Sequence, residues 1–518
     1  MSDSTNVARV GAKAGRLDLT GGAIAPTMIL FALPTLASSV LQSLNGSINA
    51  VWVGRFLGEE ALAATTNGNL VMFLLVSFVF GFGMAATILI GQAMGRRAPQ
   101  DARRAVGTAL GAIIPLSAAI AVLGYVYAPP LLDLLGTPGD AAPLALTYLR
   151  IIFVAMPTGL TFTLLMMALR GTGDSMTPLY FMCVSVGLDI VMNPLLILGL
   201  GPFPELGIAG SALSTVIGNT AALIGLVATI YLRGSPLALR GPDLRLILPD
   251  PAVLRLMLAK GLPIGLQMIV ISSAAITMLS LINREGVATA AAYGVTQQLW
   301  TYVQMPAMAL SAAVSAMAAQ NIGAGQWNRV SAVTKWGLIF NLGLTGTLIA
   351  VLTIFDRAAL SLFVGRDSEA LPIGRHIQLM ATWGYLFFGV AQVLFGTMRA
   401  NGYVIAPLLV MVVAMYPVRL GFAFGFYPVL EADALWLSFP AGMVATALMA
   451  GALYLRGGWR KVAMTPVGEA AQGGVYREAT GSCTPGAGVE AEAGCYRAAA
   501  EPGEMRRAAS GAAAAGQP

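Results

Sequence analysis

The stretch Gly187-Leu-Asp-Ile-Val-Met-Asn-Pro-Leu-Leu-Ile197 holds the residues best suited to chemistry. Asp189 lies inside an apolar run from Thr177 to Gly199, with no basic residue beside it. A carboxylate at bilayer depth is costly, and such residues usually face a protein or water-filled interior and act there. Asn193 follows four residues later, so a helix puts both side chains on one face. Pro194 lacks an amide proton and frees the carbonyl one turn earlier, at Ile190. A carboxylate, an amide and a loose carbonyl at one depth suit a proton or a hard cation such as Na+. A protonated Asp189 hydrogen-bonded between helices as packing glue is the competing reading.

Other polar side chains fall in apolar surroundings. Gln42, Asn45 and Asn49 are spaced by three and four residues and so share a helix face. Trp300, Tyr302, Trp383, Tyr385, Phe387 and Phe388 could hold cationic or flat aromatic solutes. Helix packing or interface anchoring would use the same rings. Trp300 and Tyr385 are taken with Gln42 and Asn45 as candidates for a substrate cavity.

Only a membrane can position such residues. The chain has 518 residues, 57% hydrophobic and 10% charged, against about 25% charged in a soluble domain. Apolar runs begin near Ala23 and recur at roughly 61–92, 104–128, 143–169, 177–200 and 208–232. Six more follow near 256–282, 287–320, 330–355, 371–398, 404–428 and 434–455. Each can cross about 30 Å of hydrocarbon. The fold expected is an all-α polytopic membrane protein with twelve transmembrane helices. Internal prolines at 34, 157, 263, 306 and 417 are tolerated where neighbouring helices satisfy the freed groups. Lys and Arg favour one side of these spans by about three to one, which places both termini in the cytoplasm. Arg419 falls within the eleventh span, either snorkelling to the outer interface, the reading preferred here, or lining a polar cavity.

The two halves repeat. Ala32-Leu-Pro34 returns as Gly261-Leu-Pro263, Gln92-Ala-Met-Gly95 as Gln320-Asn-Ile-Gly323, and Leu169-Arg-Gly-Thr-Gly173 as Met398-Arg-Ala-Asn-Gly402. Six spans per repeat is an even number, so the halves share an orientation. They should form two six-helix lobes related by a pseudo-twofold along the membrane normal. The expected organisation is a cytoplasmic segment 1–22, a first lobe 23–232, a linker 233–254, a second lobe 255–456 and a disordered cytoplasmic tail 457–518. The net charge of +6 is scattered between spans, which is no nucleic-acid footprint. Three cysteines, Cys183, Cys483 and Cys495, and a single histidine, His376, offer no metal cluster.

In order and spacing these motifs resemble the multidrug and toxic compound extrusion (MATE) transporters over about residues 20–460. The resemblance rests on Leu33-Pro34, Gln42 through Val53-Gly54-Arg55, Gly91-Gln-Ala-Met-Gly95 and Leu169-Arg-Gly-Thr-Gly-Asp174. It continues through Asn193-Pro-Leu-Leu-Ile197, Gly201-Pro-Phe-Pro-Glu-Leu-Gly207, Gly261-Leu-Pro263 and Ala319-Gln-Asn-Ile-Gly-Ala-Gly325. It implies a central cavity and export of drugs or metabolites driven by inward flow of H+ or Na+. The family's helix 6 hydroxyl matches Thr215, which joins Asp189, Asn193 and Asn49 as the coupling set. The chain also departs from the family. Asn49 stands where helix 1 usually has an aspartate, and the Asn-then-Asp order common in helix 5 is reversed. Gln267–Ser273 and Tyr385–Gln392 lack the carboxylates that some members carry in helices 7 and 10.

The function expected is therefore a secondary-active exporter of organic, cationic or amphipathic small molecules. It should work as a monomer in the cell inner membrane, with no cofactor beyond the coupling ion. The rivals are a lipid-linked precursor flippase of the same superfamily, an exporter of an endogenous metabolite, a channel and a membrane-bound enzyme. An enzyme would need His, Cys or paired carboxylates at depth.

Overall fold

Long apolar runs must satisfy their own backbone groups in lipid, and a helix does so within one segment. The computed structural model describes residues 17–134, 142–365, 368–462 and 464. The first repeat forms α1 (Ile24–Leu57), α2 (Glu59–Gly95), α3 (Pro99–Leu134), α4 (Ala142–Gly171), α5 (Met176–Leu198) and α6 (Ile208–Leu232). The second opens with α7 (Pro251–Ile282), α8 (Val287–Gly323) and α9 (Trp327–Ile354), followed by a short helix α10 (Asp356–Val364). It continues with α11 (Ala370–Ala381), α12 (Gly384–Ala400), α13 (Ile405–Val413), α14 (Gly421–Leu430) and α15 (Ala432–Arg456). Among the described residues, eleven helical spans are long and apolar enough to cross a membrane, and the bent pair α11–α12, taken as one span, makes twelve. The expected all-helical, two-lobe architecture is what the chain adopts.

Two spans are not the single helices that their apolar length suggested. The tenth breaks at Thr382–Trp383, and its halves meet at 46°. Trp300 Nε1 donates to Thr382 Oγ1 at 2.9 Å, and Gly384 lies so close to Pro440 that a Cβ would stand 2.7 Å from its Cα. The eleventh passes through a π-helical turn, Ala414–Leu420, that contains Pro417. The prolines at 34, 157, 263 and 306 sit within continuous helices.

The segments flanking the bundle are docked on it. The linker coils into a 3₁₀ turn, Gly241–Ile247, against α3. There Gly107 and Gly111 give way to the Leu246 and Ile247 carbonyls. Arg103 holds Asp243 at 3.0 Å, and Arg104 pairs with Asp250, the N-cap of α7. Residues 17–22 run across both repeats. Asn321 Nδ2 donates to the Leu19 carbonyl at 3.0 Å, Arg329 to those of Gly21 and Gly22, and the Leu17 amide to that of Gly173. The reading of 457–518 as wholly disordered is corrected at its start. Trp459 is fully buried against Tyr454 and Trp327, and its carbonyl accepts from Asn401 Nδ2 at 2.8 Å. Cys483, Cys495, Arg366 and the rest of the tail lie outside the described residues.

Candidate functional site

The ends of α2 and α8 explain why the duplicated glutamines and glycines are there. Gln92 Nε2 donates to the Ala400 carbonyl of the opposite lobe at 2.7 Å, and Gln320 Nε2 to that of Gly171 at 2.9 Å. A Cβ on Gly95 would stand 1.9 Å from the Gln320 oxygen, and one on Gly323 2.1 Å from that of Gln92. The two helices therefore cross in backbone contact, and the lobes are latched to each other at this end.

Inside the first lobe, α1, α5 and α6 meet along their polar residues. Asp189 is 2% exposed and sits among donors. Its Oδ2 accepts from Asn45 Nδ2 at 2.7 Å, and its Oδ1 from Ser214 Oγ at 2.5 Å. Thr215 Oγ1 lies 3.2 Å from both oxygens. One turn away, Asn49 Oδ1 accepts from Asn193 Nδ2 and Ser211 Oγ, each at 2.7 Å. α1 and α5 thus share two rungs, Asn45–Asp189 and Asn49–Asn193, as the four-residue spacing on each helix requires. Asn193 is 2% exposed, and among the described residues its Oδ1 has no hydrogen-bond partner. A buried, unpaired carbonyl oxygen beside a carboxylate rung is a ready ligand for a cation.

Asp189, Asn193, Asn49 and Thr215 are thus brought to one place. Ser211 and Ser214 join them, although no family motif pointed there. The signal was available: Ser211, Ser214 and Thr215 are three and four residues apart on one helix. A cavity of about 370 Å³ opens beside the rungs, lined by Gln42, Asn45, Asn49, Tyr148, Thr215 and Asn219.

Trp300 and Tyr385 are not on that cavity. They lie within the second lobe, 1% and 5% exposed, with ring centroids 5.4 Å apart. Phe439 packs on Trp300 at 5.0 Å and Tyr293 on Phe439 at 5.9 Å. Burial of so much aromatic area outweighs exposure to a cavity, so these rings form a core in this structure. Arg419 does not snorkel outward. It is 6% exposed, with its guanidinium 3.8 Å from the centre of the Phe439 ring. His376 pairs with Asp433 at 2.7 Å on an exposed edge.

Comparison with known proteins agrees with this architecture. The MatE family model matches residues 34–195 and 263–424, one match per repeat. The chain is 38% identical over 441 residues to the probable multidrug resistance protein YoeA of Bacillus subtilis, covering 85% of this chain and 95% of that one. It is 27% identical over 352 residues to the FAD transporter of Shewanella oneidensis, covering 67% and 76%. The solved outward-facing structure of a multidrug resistance MATE family transporter superposes with a TM-score of 0.79 at 18% identity, covering 86% of this chain and 98% of that one. The likeness in fold and the doubled family match have one explanation: this chain belongs to the MatE family of multi-pass membrane transporters.

Proposed function

We propose that this transporter exports small organic molecules, cationic or amphipathic, by antiport against H+ or Na+ bound at Asp189. In this reading it acts as a monomer in the cell inner membrane with both termini cytoplasmic. The observation that carries the coupling role is the donor-lined burial of Asp189 beside the unpaired Asn193 Oδ1. The name of the Bacillus relative supports drug export.

The rungs offer a physical switch. With Asp189 ionised, all its close partners donate to it. A proton on Oδ2 turns an acceptor into a donor and sets it against the Asn45 amide, which must then turn and so loosens α1 from α5. A proton on Oδ1 can instead be given to Ser214 Oγ, which keeps its own bond to the Ser211 carbonyl. Sodium would instead draw on the Asp189 oxygens, Asn49 Oδ1 and Asn193 Oδ1, pulling the two rungs together. Either ion biases the lobes only by binding one arrangement better than the other.

The test uses purified protein in proteoliposomes loaded with ethidium. A pH gradient and a sodium gradient are imposed separately. Ethidium movement under one of them, abolished by Asp189→Asn at equal protein content, is expected. Movement by the variant at the wild-type rate would remove Asp189 from coupling. The name of the Shewanella relative favours a second reading, a metabolite as native cargo with the same ion site.

A further inference from the structure

Arg419 sits in the second lobe where Asp189 sits in the first. The repeat offset of about 229 residues carries Asp189 to Val418, and the π turn shifts the register so that Arg419 takes the place. Packing shows the same match. Gly218 of α6 lies against the α5 backbone, a Cβ there being 2.6 Å from the Ser185 oxygen and 3.5 Å from the Asp189 nitrogen. Gly442 of α15 lies against the π turn, a Cβ there being 3.1 Å from Arg419 Cβ and 3.3 Å from the Ala414 oxygen. Thr215, three residues before Gly218, touches Asp189, and Phe439, three before Gly442, lies under Arg419. The duplicated site is charge-inverted.

Among the described residues, no carboxylate pairs with the guanidinium. Among the described residues, its Nε and Nη2 have no hydrogen-bond partner, and Nη1 meets only Met415 Sδ at 3.8 Å. Arginine stays charged, and an ion held in a protein interior costs several kcal/mol unless it is paired. Phe439 returns part of that through its ring face. A planar fork with free N–H groups suits a carboxylate, sulfonate or phosphate, and the rings of Trp300, Tyr385 and Phe439 suit a flat apolar body.

We propose that Arg419 is an anion subsite of the second lobe that takes the acidic group of an aromatic cargo between these rings. The inference rests on the reading of the chain as a small-molecule exporter. It narrows the cargo to amphipathic molecules that carry a negative group, bound apart from the coupling ion. For the rings to admit it, they must part from their present packing, and the π turn is the segment that can re-form as they do.

The experiment measures binding without any gradient, so it is independent of coupled efflux. Wild-type protein in phosphatidylcholine nanodiscs is titrated with 2-naphthoate and with 2-naphthamide, which share a ring system and differ in charge. Tryptophan fluorescence is the readout. Naphthoate is expected to bind at least tenfold more tightly than the amide. Arg419→Gln should abolish that preference, and Arg419→Lys, which keeps the charge but not the fork, should retain part of it. Equal binding of the two probes by wild type, no saturable naphthoate binding, or a preference that survives in Arg419→Gln would each overturn the proposal. The wild-type comparison stands even if a variant fails to fold. Failed gradient-driven efflux of both ethidium and naphthoate beside a naphthoate preference would count against the export reading alone.

Discussion

At the scale of residues, the first lobe keeps one deep carboxylate and surrounds it with side chains that donate to it. Replacing Asp189 by Asn changes an anion into an amide of the same shape. The rungs to Asn45 and Ser214 can then be kept by turning the amide, so insertion and expression should persist while gradient-driven transport is lost. Transport assays at matched protein levels check this. Asn49→Asp keeps an oxygen where Asn193 and Ser211 already donate. It adds a second negative charge one turn from Asp189. The extra carboxylate should strengthen cation binding, so the sodium or pH dependence of transport should shift by tenfold or more in concentration. An unchanged profile would place Asn49 outside the ion's path.

At the scale of elements, the latch at the crossing of α2 and α8 should set how readily that end opens. Each glutamine bond contributes about 1 kcal/mol to the latched arrangement. Gln92→Ala with Gln320→Ala should therefore shift an open–closed equilibrium by roughly tenfold to thirtyfold toward open. Spin labels at exposed Arg97 and Gln326 would report longer distances between lobes. Gly323→Val should act more strongly, since no side chain fits against the Gln92 carbonyl. The N-terminal strap carries its own pH dependence. Burial pushes the Asp18 carboxyl up, but hydrogen bonds from Thr20 and Gly21, helped by Arg329, outweigh it and leave it below the usual carboxylate range. A depressed value means that this stabilisation is present above the unfolded value of about 3.9 and is lost as pH falls through the lower, folded one. Hydrogen exchange of residues 17–22, corrected for intrinsic rate, should rise below about pH 4. Asp18→Asn should show that faster exchange already at neutral pH.

At the scale of the whole molecule, the C-terminal end of the bundle is a seal rather than a loose exit. Trp459 fills a fully buried site, and Met464 packs on Gly402. Truncation after Met464 should leave thermal stability and transport unchanged. Truncation after Arg456 should lower the melting temperature, and Trp459→Ala should cost about 3 kcal/mol or more. Fluorescence-detected size-exclusion chromatography after heating distinguishes these cases. Equal stability of the two truncations would mean that the Trp459 contact contributes nothing to the fold.

The sequence alone determined the twelve spans, their duplication and the polar faces of α1 and α5. These follow from apolar length, repeated motifs and helical spacing, all of which are local. Asp189 stood out because a carboxylate inside an apolar run is costly wherever the helix turns. The tertiary structure decided which way each helix faces. In lipid a helix is apolar on nearly every side, so hydropathy does not mark its inward face. That is why Trp300 and Tyr385, equally suited to a cavity or a core, proved to be core in this structure. It is why the spacing of Ser211, Ser214 and Thr215 did not by itself show that this face meets Asp189, and why Arg419 lies over Phe439 instead of at the interface. The bend at Thr382–Trp383 was equally hidden, since the residues packed on it, Trp300 and Pro440, are distant in sequence and meet it only once the lobe has packed.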